Sequence, residues 1–310
     1  MPKPRAYDYA VLAIGIVAVS TAAVLIREAD APSLVIAAYR LVLASAPMVA
    51  FTAYRREQLV PARGERAALT LLAGVCLALH FVFWVESVKQ TSIVTSVVLV
   101  TTAPLFVALA SGPLLGERQA KAIWYGLAVT ALGTLVMVGE DFGEGSDTVR
   151  GDLYALLGAV FAAVFLLVGR RLLATEGRWL PYSTATYAIA ALILAVMVVA
   201  AGDPITGFSD ETYVYLVLLA LVPQLIGHSA VNRSLVYLPA VAVALAVQGE
   251  PVGATVLAAT LLGEVPTVFE LAGGALVLGG VYVGLRPGRG TPHPPTPSPS
   301  HGEGEQETGR

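Results

Sequence analysis

The sequence predicts an all-α, polytopic membrane protein with ten transmembrane helices arranged as two inverted five-helix repeats. Three observations lead there. Of 310 residues, 56% are hydrophobic and only 13% are charged, where a soluble domain carries about 25% charged residues. A soluble globule of this composition would expose apolar surface everywhere. The apolar residues fall into ten runs, each close to the ~20 residues that cross about 30 Å of hydrocarbon. Finally, a stretch of the second half lies in register over a stretch of the first at an offset of 147 residues.

The runs are expected near 7–26, 32–54, 67–88, 91–115, 119–139, 151–171, 181–201, 212–235, 239–263 and 266–285. The first follows Lys3 and Arg5 like the hydrophobic part of a signal peptide. It is as long as its successors and no small-x-small cleavage site follows, so an uncleaved span is expected. The repeats are expected to cover 1–145 and 146–286. Residues 287–310 change to proline, glycine and charge, a composition that cannot bury enough surface to order itself. A disordered cytoplasmic tail is expected there, and its His293 and His301 make no case for a metal.

Orientation follows from the cations. With the amino terminus inside, fifteen Lys and Arg fall on the cytoplasmic side and three, Arg27, Lys89 and Arg150, on the other. The chain is therefore expected in a cell inner membrane, multi-pass, with both termini cytoplasmic. The net charge of −3 and the lack of a basic stripe exclude a nucleic-acid partner. The single cysteine, Cys76, offers neither a disulfide nor a metal site, and no hydrolase or nucleotide-loop motif is present. No cofactor is implied.

In the repeat, SVKQTSIVTSVVLVTTAPLFVALASGPLLGERQAKAIWYGLAVTALG (87–133) lies over SLVYLPAVAVALAVQGEPVGATVLAATLLGEVPTVFELAGGALVLGG (234–280). Ser87 falls on Ser234, Pro104 on Pro251, and LLGE at 114–117 on LLGE at 261–264; Gly126 and Gly133 fall on Gly273 and Gly280. The second copy begins five spans after the first. An odd number of spans reverses direction, which gives inverted repeats, an architecture of secondary transporters whose substrate sits at the repeat interface.

A mid-span proline, then LLGE, then a glycine-spaced span, twice per chain, resembles the EamA-type transporters of the drug/metabolite transporter superfamily, over about residues 7–286. Arg40 in the second span and Glu250-Pro251-Val252 in the ninth fit the same resemblance. It implies ten helices in two repeats with both termini cytoplasmic, and export of amino acids or other metabolites. Related branches carry nucleotide-linked sugars or phosphorylated metabolites.

Polar side chains inside the membrane are costly and so are the site candidates. His80, Trp84 and Ser87 lie at i, i+4 and i+7 on one helical face; Gln224, His228 and Asn232 lie at i, i+4 and i+8 on another. They are expected to form opposite walls of one cavity, with interhelical hydrogen bonding as the plainer alternative. Gln248 is grouped with them. Pro104 and Pro251 each remove a backbone donor and are expected to kink their helices, freeing the carbonyls of Val100 and Val247. Gly116 and Glu117, with Gly263 and Glu264, belong to the repeated motif, and the two carboxylates are expected to anchor helix ends. Arg40 is too deep for a loop charge, and three roles are open to it: snorkelling outward, pairing with a carboxylate, or meeting an anionic substrate.

Glu250 lies 11 residues into a span beginning near 239, close to the bilayer midplane. Its counterpart in the first repeat is Ala103, so the scaffold repeats but this chemistry does not. Two roles are weighed for it: a strut hydrogen-bonded beside the proline, or a group that binds a proton or a substrate ammonium. The resulting expectation is a secondary transporter, not an enzyme, exporting a small amphipathic metabolite such as an amino acid by alternating access. The alternatives are an intramembrane acid–base enzyme using His80, His228 and Glu250, and a carrier of phosphorylated or nucleotide-linked compounds. Its partners are a small-molecule substrate and the lipid bilayer; proton coupling and a homodimer remain open.

Overall fold

The computed structural model of the chain describes residues 4–57, 64–91, 93–117, 119–137, 148–257, 259–260 and 267–285. Gly263, Glu264 and the 287–310 tail lie outside them. The elements in order are α1 (Ala6–Ser20), α2 (Ala22–Glu28), α3 (Ser33–Tyr54), α4 (Glu65–Gln90), α5 (Ile93–Val100), α6 (Ala103–Leu115), α7 (Lys121–Met137), α8 (Thr148–Glu176) and α9 (Trp179–Ala201). Then come α10 (Asp210–Leu219), a π-helical segment (Ala220–His228), α11 (Ser229–Tyr237), α12 (Ala240–Val247), α13 (Glu250–Leu257) and α14 (Val268–Leu285). Among the described residues there is no strand.

Eight helical runs are long and apolar enough to cross a bilayer: Ala6–Glu28, Ser33–Tyr54, Glu65–Gln90, Ser96–Leu115, Val149–Glu176, Trp179–Ala201, Asp210–Tyr237 and Ala240–Leu257. Lys121–Val136 and Leu271–Leu285 are shorter apolar helices. They fall on the fifth and tenth expected runs, and their flanks at 138–147 and 261–266 lie outside the described residues.

Besides the first run, which parts at Thr21 between α1 and α2, two runs are interrupted at equivalent places. α5 ends at Val100 and α6 starts at Ala103; α12 ends at Val247 and α13 starts at Glu250. Each boundary in the second half lies 147 residues after its counterpart in the first, the offset read from the sequence. The prolines explain the restart. Pro104 and Pro251 are second in α6 and α13, where a missing N–H costs nothing because the first turn has no intrahelical acceptor. The expected kink is thus a break with a new helix start. The preceding helices stop alike: the N–H groups of Thr91 and Leu238 bond to the carbonyls of Ser87 and Ser234, each at 2.9 Å, and both residues leave the helix extended.

Gly116 ends α6 in the left-handed region at φ 68°, and its N–H reaches the Gly112 carbonyl at 3.0 Å. That conformation is why a glycine precedes the glutamate in LLGE. The chain then turns so that Glu117 meets Arg170 at 2.8 Å.

Long helices pair along their lengths: α4 on α8, α3 on α9, and α1 on the π segment and α11. α7 and α14 meet backbone to backbone. A Cβ at Gly126 would come within 2.7 Å of the Gly280 carbonyl, and one at Gly280 within 2.7 Å of the Thr130 nitrogen. Small residues allow this approach where the lipid supplies no hydrophobic drive to pack. α5 packs on α13 and α6 on α12, which brings the two helix breaks together.

Candidate functional site

The breaks border a cavity of about 80 Å³. α4 supplies His80 and Trp84, the end of the π segment supplies His228, and the start of α13 supplies Glu250; Pro104 lines the far side. The remaining wall is mostly aliphatic, with Phe165 from α8.

His80 is held in place. Its Nδ1 lies 2.9 Å from the Gly158 carbonyl, which only accepts, so Nδ1 carries the proton and Nε2 is the acceptor of the neutral ring. The imidazole stacks on Trp84 with centroids 5.8 Å apart and planes at 10°. His228 lies 6.4 Å from the His80 ring and meets Phe81 edge-on at 5.3 Å. The two histidine rings thus lie next to each other in the cavity wall.

Glu250 is 7% exposed and forms no hydrogen bond or ion pair with a described residue. It opens α13, where the free N–H groups and the positive end of the helix dipole favour a negative charge. A carboxylate directly before a proline is therefore placed at a helix N-terminus within the bundle.

Arg40 is wholly buried and does not line the cavity. Its Nε donates to Gln224 Oε1 at 2.8 Å, and its guanidinium sits 4.2 Å above the Phe81 ring and 5.6 Å from that of Trp84. Nothing in this geometry lets it snorkel. Gln224, Arg40's partner, is likewise fully buried.

The expected single wall of Gln224, His228 and Asn232 is divided. A π-helical stretch has more residues per turn than an α-helix, so i, i+4 positions no longer coincide. Gln224 turns to Arg40 on α3, His228 faces the cavity, and Asn232 donates to Ser183 Oγ on α9 at 3.0 Å. Ser87, expected on the face of His80 and Trp84, bonds to Ser96 at 2.9 Å away from the cavity. Gln248 sits in the α12–α13 break and donates to the Thr101 carbonyl in the α5–α6 break at 3.2 Å. The breaks are thus tied through residues that are themselves repeat counterparts.

Four parts of the site went unread in the sequence. Phe81 was hidden as one aromatic in an apolar run. Tyr187, 3.4 Å from Ser229, belongs to the YSTATY stretch at 182–187, a polar cluster inside a span that was a usable signal. The other two are the ties at either end of the bundle. At one end Arg170 donates to Glu117 and to the Leu235 carbonyl at 2.7 Å, and Arg233 pairs with Asp8 at 3.0 Å between the rings of Tyr7 and Tyr237. At the other Arg27 donates to the Thr91 carbonyl at 2.6 Å, Lys89 to that of Ala29 at 2.6 Å, and Thr91 Oγ1 to Asp152 at 3.1 Å. Among the described residues no group of His, Cys, Asp and Glu could hold a metal ion.

With this geometry in hand, the comparisons with known proteins are direct. The EamA-like transporter family model matches residues 6–139 and again 149–286. The chain belongs to the EamA-like transporter family. Its relatives carry transporter names. This EamA-like chain is 26% identical over 248 residues to the uncharacterized transporter YdfC of Bacillus subtilis (strain 168), covering 79% of each. It is 26% identical over 257 residues to an uncharacterized transporter of Archaeoglobus fulgidus, covering 80% of this chain and 86% of that one. It is 27% identical over 213 residues to the pseudopaline exporter CntI of Pseudomonas aeruginosa, covering 68% of this chain and 72% of that one. A solved crystal structure shares the fold of this EamA-like chain with TM-score 0.76 at 19% identity, over 91% of this chain and 98% of the other.

Proposed function

We propose that this transporter is a secondary carrier that exports a small amphipathic metabolite, an amino acid or a similar compound, across the inner membrane by alternating access. In this reading ten spans form two inverted repeats, 1–145 and 146–286, both termini and the 287–310 tail are cytoplasmic, and the chain is not an enzyme. The observation that carries it is the meeting of two helix breaks, equivalent at an offset of 147 residues, beside a cavity with one carboxylate. Broken helices that meet at a cavity are how secondary carriers present a site near the midplane.

The packing supports the inverted arrangement. Under exchange of the halves, α4 on α8 corresponds to the π segment and α11 on α1, and α3 pairs with its own counterpart α9, as α7 does with α14. The two end ties, Arg170 with Glu117 and Arg27 with the Thr91 carbonyl, lie at opposite ends of the bundle. They serve as the inner and outer gates. At 80 Å³ the cavity is well below the ~300 Å³ of ligand pockets, so a substrate enters when one gate opens and the walls part. Glu250 then binds a proton or the cationic end of the substrate, with His80, Trp84 and His228 around it. That a relative is named an exporter supports the outward direction.

The test is flux. Purified protein in liposomes loaded with a panel of amino acids and related amphipathic metabolites should exchange at least one of them faster than protein-free liposomes. A panel that yields no exchange, from protein shown to be folded, would overturn the reading.

A further inference from the structure

Arg40 and its surroundings hold more hydrogen-bond donors than the cavity requires. A guanidinium offers donors on three nitrogens. Arg40 uses Nε on Gln224, while Nη1 and Nη2 find no acceptor among the described residues. Trp84 Nε1 is in the same condition, and Gln224 Nε2 makes no hydrogen bond of good geometry, with the Tyr187 hydroxyl near it. All three side chains are nine-tenths buried or more, at 0%, 0% and 3% exposure. These side chains adjoin one another: Gln224 touches Arg40, and the centre of the Trp84 ring lies 5.6 Å from the guanidinium carbon. A buried donor without an acceptor costs about 1–3 kcal/mol, so each of these nitrogens calls for a compensating acceptor.

No ion pair or hydrogen bond joins Arg40 to a carboxylate among the described residues, and Glu250 lines the cavity that Arg40 does not. The Phe81 ring stands 4.2 Å from the guanidinium, and Trp84, which adjoins it, also lines the cavity. We infer that Arg40, Gln224 and Trp84 form an anion-binding subsite next to the cavity, built for one carboxylate-sized monoanion. One guanidinium and two neutral donors match a single negative charge better than a phosphate dianion, and the guanidinium can hold a carboxylate by two parallel bonds. The anion is either a free inorganic ion or the carboxylate of a substrate. The inference adjoins the carrier reading without depending on it, because binding is measured in the absence of flux.

The experiment uses the full chain in detergent with Trp124→Phe and Trp179→Phe, so that Trp84 is the sole indole. Sodium acetate and sodium chloride are titrated separately at constant ionic strength set with a bulky sulfonate, reading Trp84 emission and Tm. The subsite predicts a saturable emission change with a rise in Tm for at least one of them. Arg40→Gln should weaken that binding at least ~tenfold, the loss of a charge-assisted hydrogen bond. Gln224→Glu guards against a misfolded Arg40 variant, since it supplies a carboxylate from within: Tm should rise and the response to added anion should vanish. A response to chloride identifies a free-ion site; a response to acetate alone identifies a carboxylate site. No saturable response to either anion, or an undiminished response in both Arg40→Gln and Gln224→Glu, overturns the inference.

Discussion

Glu250→Gln separates function from stability. The carboxylate is 7% exposed and has no described partner, so its charge stabilises no contact that the amide would lose. Gln keeps the shape and the capacity to accept from the first N–H groups of α13, and it cannot bring a charge into the buried interior, where one is expensive. Thermal stability should therefore stay within about 1 kcal/mol of wild type or rise. Transport should behave oppositely. If Glu250 binds the cationic end of the substrate, the variant loses a hydrogen bond to a charged group, about 1.5–3 kcal/mol. At 1.36 kcal/mol per decade, that is roughly a tenfold to a hundredfold loss of substrate affinity. If it binds a proton, the pH dependence of flux between roughly pH 5.5 and 8 should flatten in the variant. The assay is counterflow in proteoliposomes at several pH values, beside Tm on the same preparation. A Gln variant that transports at the wild-type rate throughout this range would refute the role and leave Glu250 a strut.

Other consequences are checked more simply. Trp84→Ala should impair transport while abundance in the membrane stays near normal, because a cavity wall contributes to binding more than to fold; loss of the folded protein would contradict this. In a Cys76→Ser background, cysteines at His80, Trp84 and His228 should react with a small polar thiol reagent during turnover, whereas one at the exposed, apolar Leu192 should not. Glu117→Gln weakens the hold on Arg170, which is 1% exposed and keeps the Leu235 carbonyl, so Tm should fall by the equivalent of about 1–3 kcal/mol. Gly280→Ala drives a Cβ to 2.7 Å from the Thr130 nitrogen and should cost about 1–3 kcal/mol, measurable by thermal unfolding. A reporter active only outside the cytoplasm should be silent when fused after Arg289 and active in the 202–211 loop; the reverse pattern would invert the topology.

How far the sequence could be read depended on the kind of signal. Pro104, Pro251 and the 147-residue offset mark the helix breaks to the residue, because a missing N–H and a repeated pattern are local, countable properties. Glu250 is conspicuous for the same reason, a charge in an apolar run. The placement of Gln224 and Asn232 was not legible, since it depends on the π-helical stretch from Ala220 to His228, which changes the angular step between them. Pro223 inside that stretch is the only local hint. The partner of Arg40 lies 184 residues away, and that of Arg233 lies 225 away. Such pairings are fixed by how helices pack, which a periodicity in one helix does not encode.

The paired breaks also shape the field at the centre of the protein. Each break brings the C-terminal end of one half-helix, α5 or α12, against the N-terminal end of the next, α6 or α13. Each end carries a partial charge of about half an elementary unit, so two negative and two positive poles meet in one small volume. Such a quadrupole decays with distance faster than a single dipole, and surrounding lipid feels little of it, while a polar molecule between the breaks meets a steep gradient. The duplication thus lets polar backbone sit deep in hydrocarbon with nearly balanced charge, and Glu250, present in one copy only, is what tips that balance.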